Sequence, residues 1–226
     1  MGSIFSSIMT PEEEKTFVEQ KRKDAFPDAC RTPVCWLVPA CRHKHAADIL
    51  YQIAHEANAR ELARNMAEMQ LPLESRFVGT RVLEGQELLD SQLMDLWAEY
   101  FLLVGYAIEC VLKGYLLALM PDLVKDGKRL DKVIQTHDLC QLCHDCAIDI
   151  SSEEKELLEL ITRYIVWGKY AAPLRVEDMP SWARSEDQKE KSLSFSTAHL
   201  HDRRFQKHVD SIFQRGLTLL KSGGEG

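Results

Sequence analysis

The sequence predicts an all-α protein, an up-and-down bundle of four to six helices with an irregular N-terminal extension. Three observations carry this. Apolar residues recur at helical spacing in successive segments, helix-start and helix-stop residues bracket those segments, and no stretch alternates apolar with polar side chains as a half-buried strand would. Hydrophobic residues make up 45% of the 226 positions and charged residues 28%, an ordinary globular mix with material for a core.

The elements follow in order. Thr10 is an N-cap candidate, Pro11 suits the first helical position, and Glu12, Glu13 and Glu14 sit where the helix macrodipole favours acids. The stretch from Phe26 to His45 carries three prolines and reads as irregular. Residues 1–45 are therefore an extension and 46–226 the bundle. From Ala46 to Met69 the pattern is helical, with Ile49, Leu50, Ile53 and Ala57 as its apolar side. A long helix spans Gly85 to Met120 and Pro121 stops it. Another starts near Thr136, with Leu139, Leu142, Cys143, Cys146, Ala147 and Ile150 at helical period. Ser151 and Glu154 form a capping-box pattern. The helix they open buries Leu157, Leu158, Ile161, Tyr164 and Ile165, and Gly168 and Pro173 end it. Residues 175–196 read as a long polar loop. A last helix covers about 197–221, with Phe205, Val209, Ile212, Phe213 and Leu220 inward.

Net charge is −7, so a broad electrostatic footprint for nucleic acid is excluded and any RNA contact needs a local basic cluster. No run of eighteen apolar residues lacks charge, and no membrane span or export signal is expected. The seven cysteines are an odd number in a chain without such a signal, which fits free thiols in the cytoplasm. The opening Met-Gly-Ser-Ile-Phe-Ser matches the short pattern for N-myristoylation of Gly2.

On the long helix, Ser91, Asp95, Glu99, Leu102, Tyr106, Glu109 and Lys113 fall on one narrow stripe, and the rest of the circumference is mostly apolar. Glu109 precedes Lys113 by four residues. Two readings follow. One is a solvated ion pair contributing about 0.2–0.5 kcal/mol. The other is a polar seam turned toward a neighbouring helix.

Gln-Thr-His-Asp-Leu follows this helix, and then Arg-Tyr-Ile-Val-Trp-Gly-Lys-Tyr. In this order the elements resemble the HEPN family (higher eukaryotes and prokaryotes nucleotide-binding). Ala107, Glu109 and Lys113 match its first element, His137, Asp138 and Leu139 its second, and Lys169, Tyr170 and Pro173 its third, over about residues 88–220. The resemblance implies a dimeric helical bundle that binds or cleaves RNA or nucleotides. It also implies no cofactor, and activity as a metal-independent ribonuclease, a toxin or defence effector paired with a nucleotidyltransferase-type antitoxin. On that basis Glu109, Lys113 and Arg163 are the catalytic candidates. Tyr106, Lys169, Tyr170, Arg203 and His208 are the nucleotide- and phosphate-binding candidates. The family's Arg and His, four to six residues apart, are not in their expected place, because Trp167 and Lys169 follow Arg163. Arg203 and His208 match the spacing elsewhere. The alternative is a non-catalytic dimerisation or partner-binding module.

Two Cys/His groups resemble metal ligands in print. Cys140, Cys143 and Cys146, with His137 and His144, lie on a helical pattern that packs thiols inward. Cys30, Cys35, Cys41, His43 and His45 do not follow known finger spacings. No metal site is assigned to either. There is also no phosphate-binding glycine loop and no nucleophile elbow.

Overall fold

The computed structural model describes residues 11–72, 82–94, 96–125, 129–169 and 203–223. It is a helical bundle built around one central helix. The elements are α1 (Pro11–Arg31), α2 (Pro33–Met69), α3 (Gly85–Met94), α4 (Trp97–Leu119), β1 (Val124–Lys125), β2 (Arg129–Leu130), α5 (Leu139–Asp145), α6 (Ser152–Lys169) and α7 (Arg203–Ser222). The Gly85–Leu119 stretch is long and apolar enough to cross a membrane by length and composition. In this fold its second half, α4, is the packed axis of the bundle. Tyr100, Phe101, Val104, Ala107, Ile108, Val111, Leu112, Leu116 and Leu117 are all buried there.

The N-terminal third departs from the sequence reading. The Phe26–His45 stretch is helical apart from a single break at Thr32. Pro33 drives Thr32 into extended backbone and then serves as the first residue of α2, where its missing N–H would have had no partner anyway. Pro27 and Pro39 lie inside helices and each forfeits one ladder bond. Cys30, three residues after Pro27, and Ala40, next to Pro39, are buried. The proline count therefore misleads, because only one of the three prolines breaks a helix.

Helix α2 packs along α4 and α3, and its Ala40, Ala47, Ala54 and Ala57 are all fully buried. Three of these, Ala40, Ala47 and Ala54, are spaced seven residues apart, so they return to nearly the same face of α2. Ile49, expected inward, is exposed. The seam is small rather than bulky.

The single helix expected from Gly85 to Met120 is two. Helix α3 ends at Met94 and α4 begins at Trp97, with Leu96 as N-cap. Asp90 on α3 is fully buried and accepts hydrogen bonds from Arg60 Nη2 (2.8 Å), Arg64 Nη1 (2.6 Å) and Gln86 Nε2 (2.8 Å), which ties α3 to α2.

After α4 the chain makes a turn of 3-10 helix, then a two-residue antiparallel ladder pairing Val124 with Leu130. A ladder that short leaves no alternation to read. Helix α5 is also shorter than its periodicity suggests. It stops at Asp145, and Ala147 sits at φ 53° and is exposed, although Cys146 remains buried.

Helix α6 opens on the expected capping box. The Ser151 amide donates to Glu154 Oε2 (3.0 Å) and the Glu154 amide donates to Ser151 Oγ (3.2 Å). Arg215 of α7 also donates to Glu154 Oε1 and to the Asp149 carbonyl. The inward residues expected on α7 are all buried. The 175–196 loop, the Thr10 cap and the Gly2 pattern lie outside the described residues.

Candidate functional site

The polar stripe on α4 descends from solvent into the bundle. Glu99 is exposed, Leu102 and Tyr106 are half-buried, and the side chains of Glu109 and Lys113 are 13% and 7% exposed. The descent has two neighbours as its cause. Trp36 of α2 lies against Gly114, so close that a Cβ on Gly114 would sit 2.5 Å from the Trp36 Cβ. On the other side the start of α5 lies over the same turn of α4.

That start is held at several points. The Asp138 side chain caps α5 by accepting from the Gln141 amide at 3.0 Å, and the Asp138 amide donates to Thr136 Oγ1 at 3.0 Å. The Leu139 amide donates to Thr162 Oγ1 of α6 at 3.2 Å. His137 lies between these anchors. Its Nδ1 is 2.8 Å from Glu109 Oε2, while Lys113 Nζ donates to Glu109 Oε1 at 2.7 Å. One carboxylate thus joins an ammonium below it to an imidazole above it. An ionised carboxylate only accepts, so the imidazole contributes Nδ1–H to this contact.

Of the two readings of the Glu109–Lys113 pair, the inward seam holds. Sequence reasoning placed the pair but missed its third member. In the sequence His137 stands only in the His-Asp-Leu element of the resemblance and beside the cysteines of the following helix. The signal available was its place in a His-Asp-Leu run before an N-cap, but sequence does not measure the span from residue 137 to residue 109.

The ring lining extends along α4. Tyr106, one turn before Glu109, faces His43 of α2 with ring centroids 5.7 Å apart. Burial, with the Glu109 charge in second place, pushes the Tyr106 hydroxyl above its ordinary value. The Cys110 thiol is pushed up to about 11, mainly by burial.

The remaining sequence candidates are spread over the bundle. Arg163 is half-buried on α6, and no hydrogen bond among the described residues ties it to Glu109 or Lys113. Lys169 is the last residue of α6 and Tyr170 lies outside the described residues. Arg203 and His208 share the continuous helix α7, so five residues put them about 140° apart around its axis. His208 is near Glu153 at the opening of α6. The Glu153 carboxyl is held low first by its own backbone amide and the Ser151 hydroxyl, with the His208 charge a smaller contribution.

All seven cysteines are free thiols. Among the described residues no group of three or more His, Cys, Asp or Glu side chains is arranged to hold a metal ion. A second polar group is fully engaged structurally. Lys44 Nζ lies 2.6 Å from both Asp48 and Asp210, and Gln206 links Asp48 to the buried Tyr100 hydroxyl. Comparison with protein families, curated proteins and solved structures finds no match to this chain.

Proposed function

We propose that this chain is a HEPN-like protein that binds or cleaves RNA or nucleotides, working from the Glu109–Lys113–His137 group. The observation that carries the reading is the burial of a charged pair whose carboxylate also holds a histidine. Desolvating two charges costs about as much as their attraction returns, and an apolar pair of similar volume would often be as stable. Stability alone therefore gives little reason for such a group. The resemblance in the order of the motifs supplies the chemistry that the group would serve.

In this reading Tyr106 offers a ring face to a base, and Arg163, Lys169, Tyr170, Arg203 and His208 are the further phosphate and nucleotide contacts. Lys113 acts through Glu109 rather than on phosphate, because its ammonium is buried and bonded to that carboxylate. The protein would work in the cytoplasm as a homodimer, as a toxin or defence effector held by a nucleotidyltransferase-type antitoxin.

A second reading, a partner-binding module without catalysis, is favoured by one surface. Leu62, Met66 and Met69 form a ridge on α2, and all three are more than half exposed, at 53%, 55% and 68%. Leu88 and Leu89 on the neighbouring α3 are exposed as well. Apolar side chains gathered in this way commonly mark an interaction site.

Fluorescence anisotropy with a short single-stranded RNA at low, fixed salt tests the leading reading. Saturable binding that weakens in Arg163→Ala and Tyr106→Ala supports it. Absence of binding, together with pull-down of a specific protein lost on Leu62→Glu/Met66→Glu, supports the second.

A further inference from the structure

Resting on the RNA reading for its ligand, we propose that Arg60 and Arg64 of α2, held by the buried Asp90 of α3, form a binding site for a phosphate group. The chain carries a net charge of −7, so an anion needs cations fixed locally. Elsewhere the cations fixed within the bundle are matched by acids. Lys44 faces two carboxylates, and Lys113 and Arg215 each face one. At Asp90 the ratio is reversed, and two guanidiniums share one carboxylate.

The geometry leaves much of the pair unused. A guanidinium carries five N–H donors in a planar fork. Arg60 commits Nε and Nη2 to Asp90 Oδ1, at 3.0 and 2.8 Å, and Arg64 commits Nη1 to Oδ2 at 2.6 Å. Three donors of Arg60 and four of Arg64 therefore have no partner among the described residues. The two side chains are 44% and 30% exposed, while Asp90 is fully buried. The unused donors are thus on the solvent side of the clamp.

A buried carboxylate that fixes two guanidiniums removes in advance the ordering that a free arginine loses on binding. Gln86 also donates to Asp90 Oδ1, at 2.8 Å, so the carboxylate is itself held from α3. Phosphate suits the arrangement, because its oxygens accept from paired, coplanar N–H groups and arginine is the side chain matched to that geometry. The opposing group is Glu56. It is exposed, lies one turn before Arg60 and acts on its charge, while its carboxylate accepts from Gln52 at 2.8 Å. The phosphate group can be that of an RNA backbone or a free one, and the two are separated by experiment.

The test uses the full chain, pyrophosphate and a short fluorescein-labelled single-stranded RNA, at low, fixed ionic strength. Pyrophosphate binding is read by nitrogen-15 NMR of the arginine side chains, with sodium chloride of equal ionic strength as control, and RNA binding by anisotropy. The Nε–H resonances of Arg60 and Arg64 should shift together and saturably with pyrophosphate and stay in place with chloride. Arg64→Lys keeps a charge for Asp90 but loses the fork, and it should weaken pyrophosphate and RNA about tenfold. Glu56→Gln, which leaves the clamp intact, should tighten both. Should Arg64→Lys not fold, Glu56→Gln and the wild-type resonances carry the comparison. Binding of pyrophosphate without RNA supports the site, makes free phosphate its source and counts against the RNA reading. RNA binding that is indifferent to Arg64→Lys, with both resonances unmoved by pyrophosphate, overturns the site and leaves the RNA reading standing. Resonances that move equally with chloride also overturn it.

Discussion

His137 Nδ1 sits 2.8 Å from Glu109 Oε2, joining a residue just before α5 to the middle of α4 across 28 positions of sequence. The same carboxylate holds Lys113 through its other oxygen at 2.7 Å. Glu109 is therefore satisfied on both sides in a place with little water, and each member of the group depends on the other two.

Dependence of that kind has a measurable consequence. Lys113→Met should destabilise the fold by about 3–5 kcal/mol, the usual cost of leaving one charge of a buried pair without its partner. Glu109→Gln/Lys113→Met should recover much of the loss, because neither charge then remains. Urea unfolding of the two single variants and the double variant gives the coupling directly. Additive losses would mean that the pair does not interact in solution.

Close packing around α4 gives a second prediction. A Cβ on Gly105 would lie 2.6 Å from Ile165 Cγ1 and 2.9 Å from Ile161 Cγ2, and a Cβ on Gly114 would meet the Trp36 Cβ at 2.5 Å. Gly105→Ala and Gly114→Ala should each cost about 1–3 kcal/mol through overpacking, despite the better helix propensity of alanine. A rise in melting temperature for either variant would contradict this packing.

Thiol chemistry separates the cysteines. Burial pushes Cys143 and Cys146 up to about 12 and Cys110 and Cys140 up to about 11. Cys35 and Cys41 are exposed. Iodoacetamide at mildly alkaline pH, followed by mass spectrometry, should label Cys35 and Cys41 in the folded chain and Cys143 and Cys146 only after denaturation. The thiolate is the reactive form, and these buried thiols stay protonated. Labelling of Cys143 before unfolding would show α5 to be open.

The α2–α3 clamp gives an acid-side prediction. The Arg60, Arg64 and Gln86 side chains hold the Asp90 carboxyl well below the usual carboxylate range, against an opposing effect of burial. A group whose folded pKa is depressed contributes stability above its unfolded value of about 3.9, and loses it as pH falls through the folded value. Asp90→Asn should therefore lower the melting temperature at neutral pH and flatten its decline in acid. Equal declines for the wild type and the variant would remove Asp90 from the account.

What was legible in the sequence was local. The capping box of Ser151 and Glu154 and the inward face of α7 depend on residues three or four apart, and both are as read. The Glu109–Lys113 spacing is legible for the same reason, but whether the pair faces solvent or a neighbouring helix is not, because that depends on what packs against α4. The Pro-rich stretch misled because a proline's effect depends on its place in a helix, and Pro33 stands at a start. Of the α2 seam only Ala57 was read as inward, because alanine is mildly apolar and Ala40, Ala47 and Ala54 do not stand out beside Ile49. His137 was missed as a site residue because its partner lies on another helix, and only the fold brings the two together.

The central claim is that Glu109 fixes the imidazole of His137 inside the bundle. Nitrogen-15 NMR of the histidine ring, at a pH where it is neutral, tests this most directly. The account predicts a protonated Nδ1 and an acceptor Nε2 for His137, with that preference lost in Glu109→Ala. An Nε2-protonated ring in the wild type, or a ring indifferent to Glu109→Ala, would contradict it.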